Sequence, residues 1–324
     1  MTEVAIVGAG RMGHGLALVY ALGGYNVRLT DSDATALSDA HELIETVLTS
    51  LREVGEIDDT WTTDRLASSL RYCPTLAEAV SGAEFVIEAI TEDTGAKQTL
   101  YTELAGLMGP DAILASNTSH LDVFPLIPET LQPRSLITHW YLPPYLIDLV
   151  DIFGGPHTDP AVVEVVRATI AAMDKQPLVF RKFVPGYVAN RIQSAIGREV
   201  YRLLDDGVVT PDQVDDSIIH GLALRFMVLG HLAKSDFSGL ALLQRGFATR
   251  SAELPPSAQA SSTTLDQLVS DGHTGVMSGR GFFDWSDRSP DEWLRERDRR
   301  LIALKRTMRD FPGPLRGTYS RTDH

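Results

Sequence analysis

The chain has 324 residues, 44% of them hydrophobic, which is enough apolar material for a large core and suggests two domains. A formal net charge of −14 supplies no broad positive field and argues against binding to a nucleic-acid phosphate backbone. The one cysteine, Cys73, excludes an intrachain disulfide; it reads as a small apolar filler near a strand end and fits a reducing cytosol.

In chain order, "EVAIVGAG" reads as a buried strand entering a glycine turn, and "RMGHGLALVYALGG" as a helix with a glycine stop. "YNVRLTDSD" is a second short strand ending in acid, followed by a long helical stretch from residue 33 to about 54. "EFVIEAI" and "AILASNTS" are further buried strands with the helix "TGAKQTLYTELAGLM" between them. "SLITHW" and "LIDLVDIF" are two more strands, "DPAVVEVVRATIAAMD" a helix and "QPLVFR" a last strand. Strand and helix alternate, which predicts a doubly wound, mostly parallel sheet covered on both faces.

From Pro185 the pattern becomes helical. "PGYVANRIQSAIGREVYRLLDDG" has Pro near its start and Gly207 at its end. "TPDQVDDSIIHGLAL" and "KSDFSGLALLQRGFATR" also read as helices, residues 251–264 as a Pro/Ser/Ala loop, and "SPDEWLRERDRRLIALKRTMRD" as a helix with Trp293, Leu301, Leu304 and Met308 on one face. The expected organisation is an α/β dinucleotide domain over 1–183, an all-α substrate and dimerisation domain over 184–310, and a tail over 311–324. The N-terminus has no basic region or cleavage site, and no apolar run approaches the roughly 20 residues of a membrane span. A soluble, cytoplasmic protein is expected, without membrane or nucleic-acid partners. The histidines, His14, His120 and His231 among them, show no ligand spacing, so no metal is expected.

Gly8, Gly10 and Gly13 form G-x-G-x-x-G directly after a strand and at the opening of a helix. The first glycine permits the turn, the second lets a pyrophosphate approach the backbone, and the third lets helix and strand pack closely. The helix N-terminus then faces the phosphates, so Gly8, Gly10, Arg11, Met12 and Gly13 form the expected phosphate site. Asp31 ends the next strand, about 20 residues on, where a carboxylate accepts from a free ribose 2′-hydroxyl and repels a 2′-phosphate. Ser32 and Asp33 add no cation, so NAD is expected over NADP.

The segments "VGAGRMG", "VIEAITED", "SNTS", "H…LVD" and "VPGYVANR", in this order, with "GVMSGRGFFDW" later, resemble the L-3-hydroxyacyl-CoA dehydrogenase superfamily. The resemblance implies an NAD-dependent oxidoreductase acting on a CH–OH group, with a dinucleotide domain followed by a helical, usually dimer-forming domain. It makes His139 the general base, Asp151 its orienter, Ser119 a hydroxyl contacting substrate and nicotinamide, and Asn190 a helix asparagine near the substrate carbonyl. It puts Ala89, Glu92, Lys97 and Asn117 around the nicotinamide and its ribose. The chemistry itself needs such groups: imidazole takes a hydroxyl proton near neutral pH, and a carboxylate on its other nitrogen fixes the tautomer and stabilises the imidazolium. Plainer readings stand beside these: a core histidine for His139, a strand-end surface acid for Asp151, a helix cap for Ser119, a solvent-facing Asn190.

Two positions depart from the family pattern. The family has Glu where this chain has Asp151, and "HFFNP"-like sequences carry an asparagine where "HWYLPP" has Leu142. Between Asp31 and Asp64 the one basic residue is Arg52, among many acids, so like-charge repulsion disfavours CoA phosphates there. "GLALRFMVLGHL" is similar to the lambda-crystallin (L-gulonate 3-dehydrogenase) and L-carnitine dehydrogenase branch, although that branch has proline where this chain has His231. In that branch Arg225 would clamp a substrate carboxylate; as a bare residue it equally suits a helix surface or dimer interface. Three readings remain open: a dehydrogenase of a small 3-hydroxy acid, a dehydrogenase of a CoA or carrier-protein thioester, and a non-catalytic NAD-binding structural protein.

Overall fold

A computed structural model of the chain describes residues 2–238, 267, 268 and 270–309. It divides into two compact units, Met1–Arg191 and Ile192–His324. The expected helical continuation past Ser238, the loop over 251–264 and the tail over 311–324 lie outside the described residues.

The first unit is built on one eight-stranded sheet: β1 (Glu3–Val7), β2 (Asn26–Thr30), β3 (Leu70–Tyr72), β4 (Phe85–Glu88), β5 (Ile113–Ser116), β6 (Ser135–Trp140), β7 (Leu149–Gly154) and β8 (Gln176–Phe180). Their spatial order is β3-β2-β1-β4-β5-β6-β7-β8. The first six are parallel, β7 runs antiparallel to β6, and β8 follows β7 in parallel. The order 3-2-1-4-5-6 is that of a Rossmann-type dinucleotide fold, with its switch point between β1 and β4. The apolar runs of the central strands are buried as expected, every residue of β4, β5 and β6 being sealed from solvent, whereas the edge strand β8 leaves Leu178 and Val179 exposed.

Helices α1 (Gly13–Leu22), α2 (Ala34–Glu53), α3 (Thr63–Ser69), α4 (Leu76–Val80), α5 (Thr94–Leu107) and α6 (Pro160–Ala171) connect the strands. Five of the six start at a side-chain cap: Asp33, Thr62, Thr75, Asp93 and Asp159 each accept a backbone N–H of the first turn. Only α1, which follows Met12, lacks one. The α3–β3–α4 segment is not announced by hydrophobic periodicity; its elements are too short to show a period, and Leu66 and Leu70 are its main buried anchors before Ala79 and Val80.

The second unit begins within α7 (Val188–Asp205), whose first residues belong to the first unit. Thr210 and Gln213 form a reciprocal capping box at α8 (Pro211–Asp216). A π-helical stretch, Ser217–Ala223, leads into α9 (Leu224–Ser238), which is broken at Gly230 by a positive φ of 70°. The long α10 (Pro290–Arg309) places Trp293 edge-on to Trp285 at 5.0 Å. Among its described side chains Ile302 is sealed, whereas Leu304, expected on the apolar face, is exposed. Among the described residues no helix is long and apolar enough to cross a membrane, and no group of three His, Cys, Asp or Glu is placed to hold a metal.

Candidate active site

All parallel strands from β1 to β6 end at one edge of the sheet, and their last residues and following loops carry the expected site groups of the first unit except Lys97 in α5, Asp151 in β7 and Asn190 in α7. After β1, Gly8 takes a φ of 104°, and a Cβ there would meet the carbonyl oxygen of Ala89 at 2.6 Å. At Gly13 a Cβ would stand 1.6 Å from the Gly8 carbonyl oxygen, so helix and turn touch backbone to backbone. A Cβ on Gly10 would meet nothing within 4 Å. The exposed Gly10 and Arg11 thus border open space in front of the uncapped N-terminus of α1. Such a cradle, with free N–H groups, suits the pyrophosphate of a dinucleotide. Asp31 braces the turn, accepting from Ala9 N at 2.7 Å and Asp33 N at 2.9 Å, and remains half-buried beside it. The residues present therefore fit NAD.

After β4 the chain builds a network of charge. Glu88 is fully buried; its Oε1 accepts from Lys97 Nζ at 2.6 Å and Ile90 N at 2.9 Å. Its Oε2 accepts from the Tyr101 hydroxyl and Ser116 Oγ, both at 2.6 Å. Burial, then the adjacent carboxylate, push the Tyr101 phenol far above its ordinary range, so it stays a donor. Lys97, placed by the family resemblance at the nicotinamide, is itself sealed, with its ammonium 2.6 Å from Glu88 and 3.4 Å from Glu92. Glu92 Oε1 accepts from Thr118 Oγ1 at 2.6 Å and from the backbone N–H of Ser119 and His120 at 2.7 and 2.8 Å. Burial opposes its charge, but these donors together with Lys97 outweigh it and hold the carboxyl below its ordinary value.

The loop after β5 is thereby fixed. Asn117 Oδ1 accepts from Trp140 N at 2.9 Å, tying this loop to the end of β6. Ser119 is not a helix cap: no helix begins there, and its backbone N–H goes to Glu92.

His139 and Asp151 are register partners across the antiparallel β6–β7 pair, the one point where the sheet reverses next to the parallel strands. Both are buried, at 4% and 1% exposure, which removes the surface reading of Asp151. Nδ1 of His139 lies 3.5 Å from Asp151 Oδ2, close enough for an ion pair, although that nitrogen has no hydrogen bond. Tyr187, at a positive φ of 50°, packs its ring 4.6 Å from the imidazole and donates its hydroxyl to Thr118 O at 2.6 Å. Asn190 follows three residues later in the first turn of α7, half-buried. Leu142 is exposed just past the histidine. In the second unit, the exposed Arg225 folds its guanidinium onto the carbonyl of Gly221 at 2.6 and 3.0 Å.

Glu88, Tyr101, Tyr141 and Tyr187 are part of this structure without having been singled out in the sequence. Glu88 had a legible signal: a carboxylate inside the apolar strand "EFVIEAI" needs a buried partner.

A parallel sheet with a dinucleotide cradle at its switch point, and a buried imidazole–carboxylate pair at the same edge, defines an NAD-dependent oxidoreductase. Residues 3–183 match the 3-hydroxyacyl-CoA dehydrogenase NAD-binding domain, and residues 186–285 the C-terminal domain of the same family. The chain belongs to the 3-hydroxyacyl-CoA dehydrogenase family. It is 30% identical over 307 residues to 5-formyl-3-hydroxy-2-methylpyridine 4-carboxylate 5-dehydrogenase of Mesorhizobium japonicum, covering 94% of this chain and 98% of that one. It is 30% identical over 312 residues to L-carnitine dehydrogenase of Streptomyces griseus, covering 96% and 91%. A crystal structure of 5-formyl-3-hydroxy-2-methylpyridine 4-carboxylic acid 5-dehydrogenase, an NAD+-dependent dismutase, matches with a TM-score of 0.85 at 29% identity, over 95% of this chain and 99% of that one.

Proposed function

We propose that the protein oxidises the 3-hydroxyl of a small, free, carboxylate-bearing substrate, or runs the reverse reduction, with His139 as general base. The observation that carries this reading is the buried pairing of His139 with Asp151 at the strand edge that also holds the glycine cradle. With Nδ1 turned toward the acid, Nε2 is left to take the hydroxyl proton, and Asp151 stabilises the imidazolium that results. Bound NAD supplies the hydride acceptor, for which Gly8, Gly10, Arg11, Met12, Gly13 and Asp31 form the phosphate and ribose site. Ala89, Glu92 and Asn117 shape the wall next to it, while Lys97 serves that wall from behind through Glu92. Ser119, whose hydroxyl has no hydrogen bond to the described residues, and Asn190 stabilise charge on the reacting oxygen. The family resemblance assigns the substrate carboxylate to Arg225, whose guanidinium donates to Gly221 O.

Two relatives named for L-carnitine and for a pyridine carboxylate support a small free substrate over a thioester, as does the lack of cations between Asp31 and Asp64 apart from Arg52. We assign residues 1–183 to NAD binding and 184–310 to substrate binding and pairing of two copies. Val188, Ile192 and Ile196 expose an apolar stripe along α7 that suits such pairing. A reducing cytoplasm suits the single buried thiol of Cys73.

The test is NADH production by the purified protein on L-gulonate, carnitine, 3-hydroxybutyrate and 3-hydroxybutyryl-CoA. Turnover of a free acid, with KM raised by Arg225→Leu, is expected. Turnover confined to the thioester would reject the free-acid reading.

A further inference from the structure

Asp151 has a second neighbour. The hydroxyl of Tyr141, two residues after the proposed base, donates to Asp151 Oδ2 at 2.7 Å. This is the oxygen that lies 3.5 Å from His139 Nδ1, while Asp151 Oδ1 and His139 Nδ1 are buried without hydrogen bonds. The Tyr141 ring also stands edge-on to the imidazole, 4.6 Å away. In the "HFFNP" pattern this position is a phenylalanine and the acid is Glu; here the phenol and the shorter Asp occur together.

We infer that Tyr141 is a positioning residue of the base: it holds the short carboxylate beside His139 and, by sharing the charge on Oδ2, sets how readily the imidazole keeps a proton. A phenol donating to a carboxylate forms a charge-assisted hydrogen bond. The oxygen it engages has less charge to offer a neighbouring imidazolium, so the ring releases its proton more easily. A base that is unprotonated at neutral pH is the useful one for alcohol oxidation.

Other groups facing the imidazole do not duplicate this. Tyr187 also packs against the ring but commits its hydroxyl to Thr118 O at 2.6 Å. Glu92 and Glu88, whose charges act on Tyr187, are engaged by Lys97.

The inference rests on His139 being the proton acceptor, but its test needs no turnover. The His139 ring is titrated by NMR in the full-length, histidine-labelled protein, with the signal assigned by its loss in His139→Gln. Tyr141→Phe is expected to raise the midpoint by about one pH unit. Incorporating 3-fluorotyrosine at position 141, a stronger donor of nearly the same shape, should lower it, and gives a readout even if the phenylalanine variant folds poorly. In an Asp151→Asn background, Tyr141→Phe should have no effect. An unchanged midpoint in both single replacements, or a shift that persists without the carboxylate, overturns the inference. Full NADH formation by His139→Gln would instead remove the proposed base, while the titration still reports whether Tyr141 acts on the ring through Asp151.

Discussion

The ammonium of Lys97 lies 2.6 Å from Glu88 Oε1, with neither side chain exposed by more than 1%. One end of the pair holds the end of β4 and the other reaches Glu92, which gathers the backbone N–H groups of Ser119 and His120. A buried charge thus fixes the loop that carries Ser119. Lys97→Met leaves Glu88 without its cation in the core. It should destabilise the protein by about 3–5 kcal/mol, read as a lower urea midpoint. A loss below about 1 kcal/mol would mean the network re-forms around Tyr101 and Ser116.

His139→Gln should lower NADH formation by about 10²–10⁴-fold, the range for removing a general base, while NAD binding measured by calorimetry stays within a factor of two or three. Equal losses of binding and turnover would assign the residue to the structure of the crevice.

The glycine turn offers two opposite outcomes. A methyl at Gly13 would collide with the Gly8 carbonyl, 1.6 Å away, so Gly13→Ala should cost about 3 kcal/mol or more of stability. A methyl at Gly10 meets no protein atom within 4 Å. Gly10→Ala should therefore leave the thermal midpoint nearly unchanged and weaken NAD binding, because the methyl occupies the space a phosphate needs.

Asp31 braces Ala9 and is the residue we propose for the ribose. Asp31→Ala should weaken NAD by about 10–100-fold, the worth of a hydrogen bond to a charged group, and narrow the preference over NADP. Binding isotherms for both cofactors decide this; an unchanged ratio would move ribose recognition elsewhere.

Glu92 titrates below its ordinary 4.5 in the folded protein: burial raises it, but the Thr118, His120 and Ser119 donors and Lys97 prevail. A depressed carboxyl stabilises the fold fully above its unfolded value, and that contribution fades as pH falls through the folded value. The stability gap between the protein and Glu92→Gln should be constant near neutrality and close in acid below about 4.5. A gap that persists unchanged in acid would show that charge on Glu92 is not what holds the loop.

The sequence by itself determined the doubly wound domain, the glycine turn and Asp31, because each depends on local features: apolar runs, a turn that only glycine tolerates, and a strand-end acid at fixed spacing. It also marked His139 and Asp151, through a family pattern rather than through periodicity. What only the tertiary structure decided is how these groups meet. The antiparallel β6–β7 pairing sets His139 opposite Asp151 although twelve positions separate them. The same fold gives the shortened acid its Tyr141 donor and turns Lys97 from the expected cofactor wall into the core. A side chain's partners depend on register and burial across distant strands, and neither is written in the local order of residues.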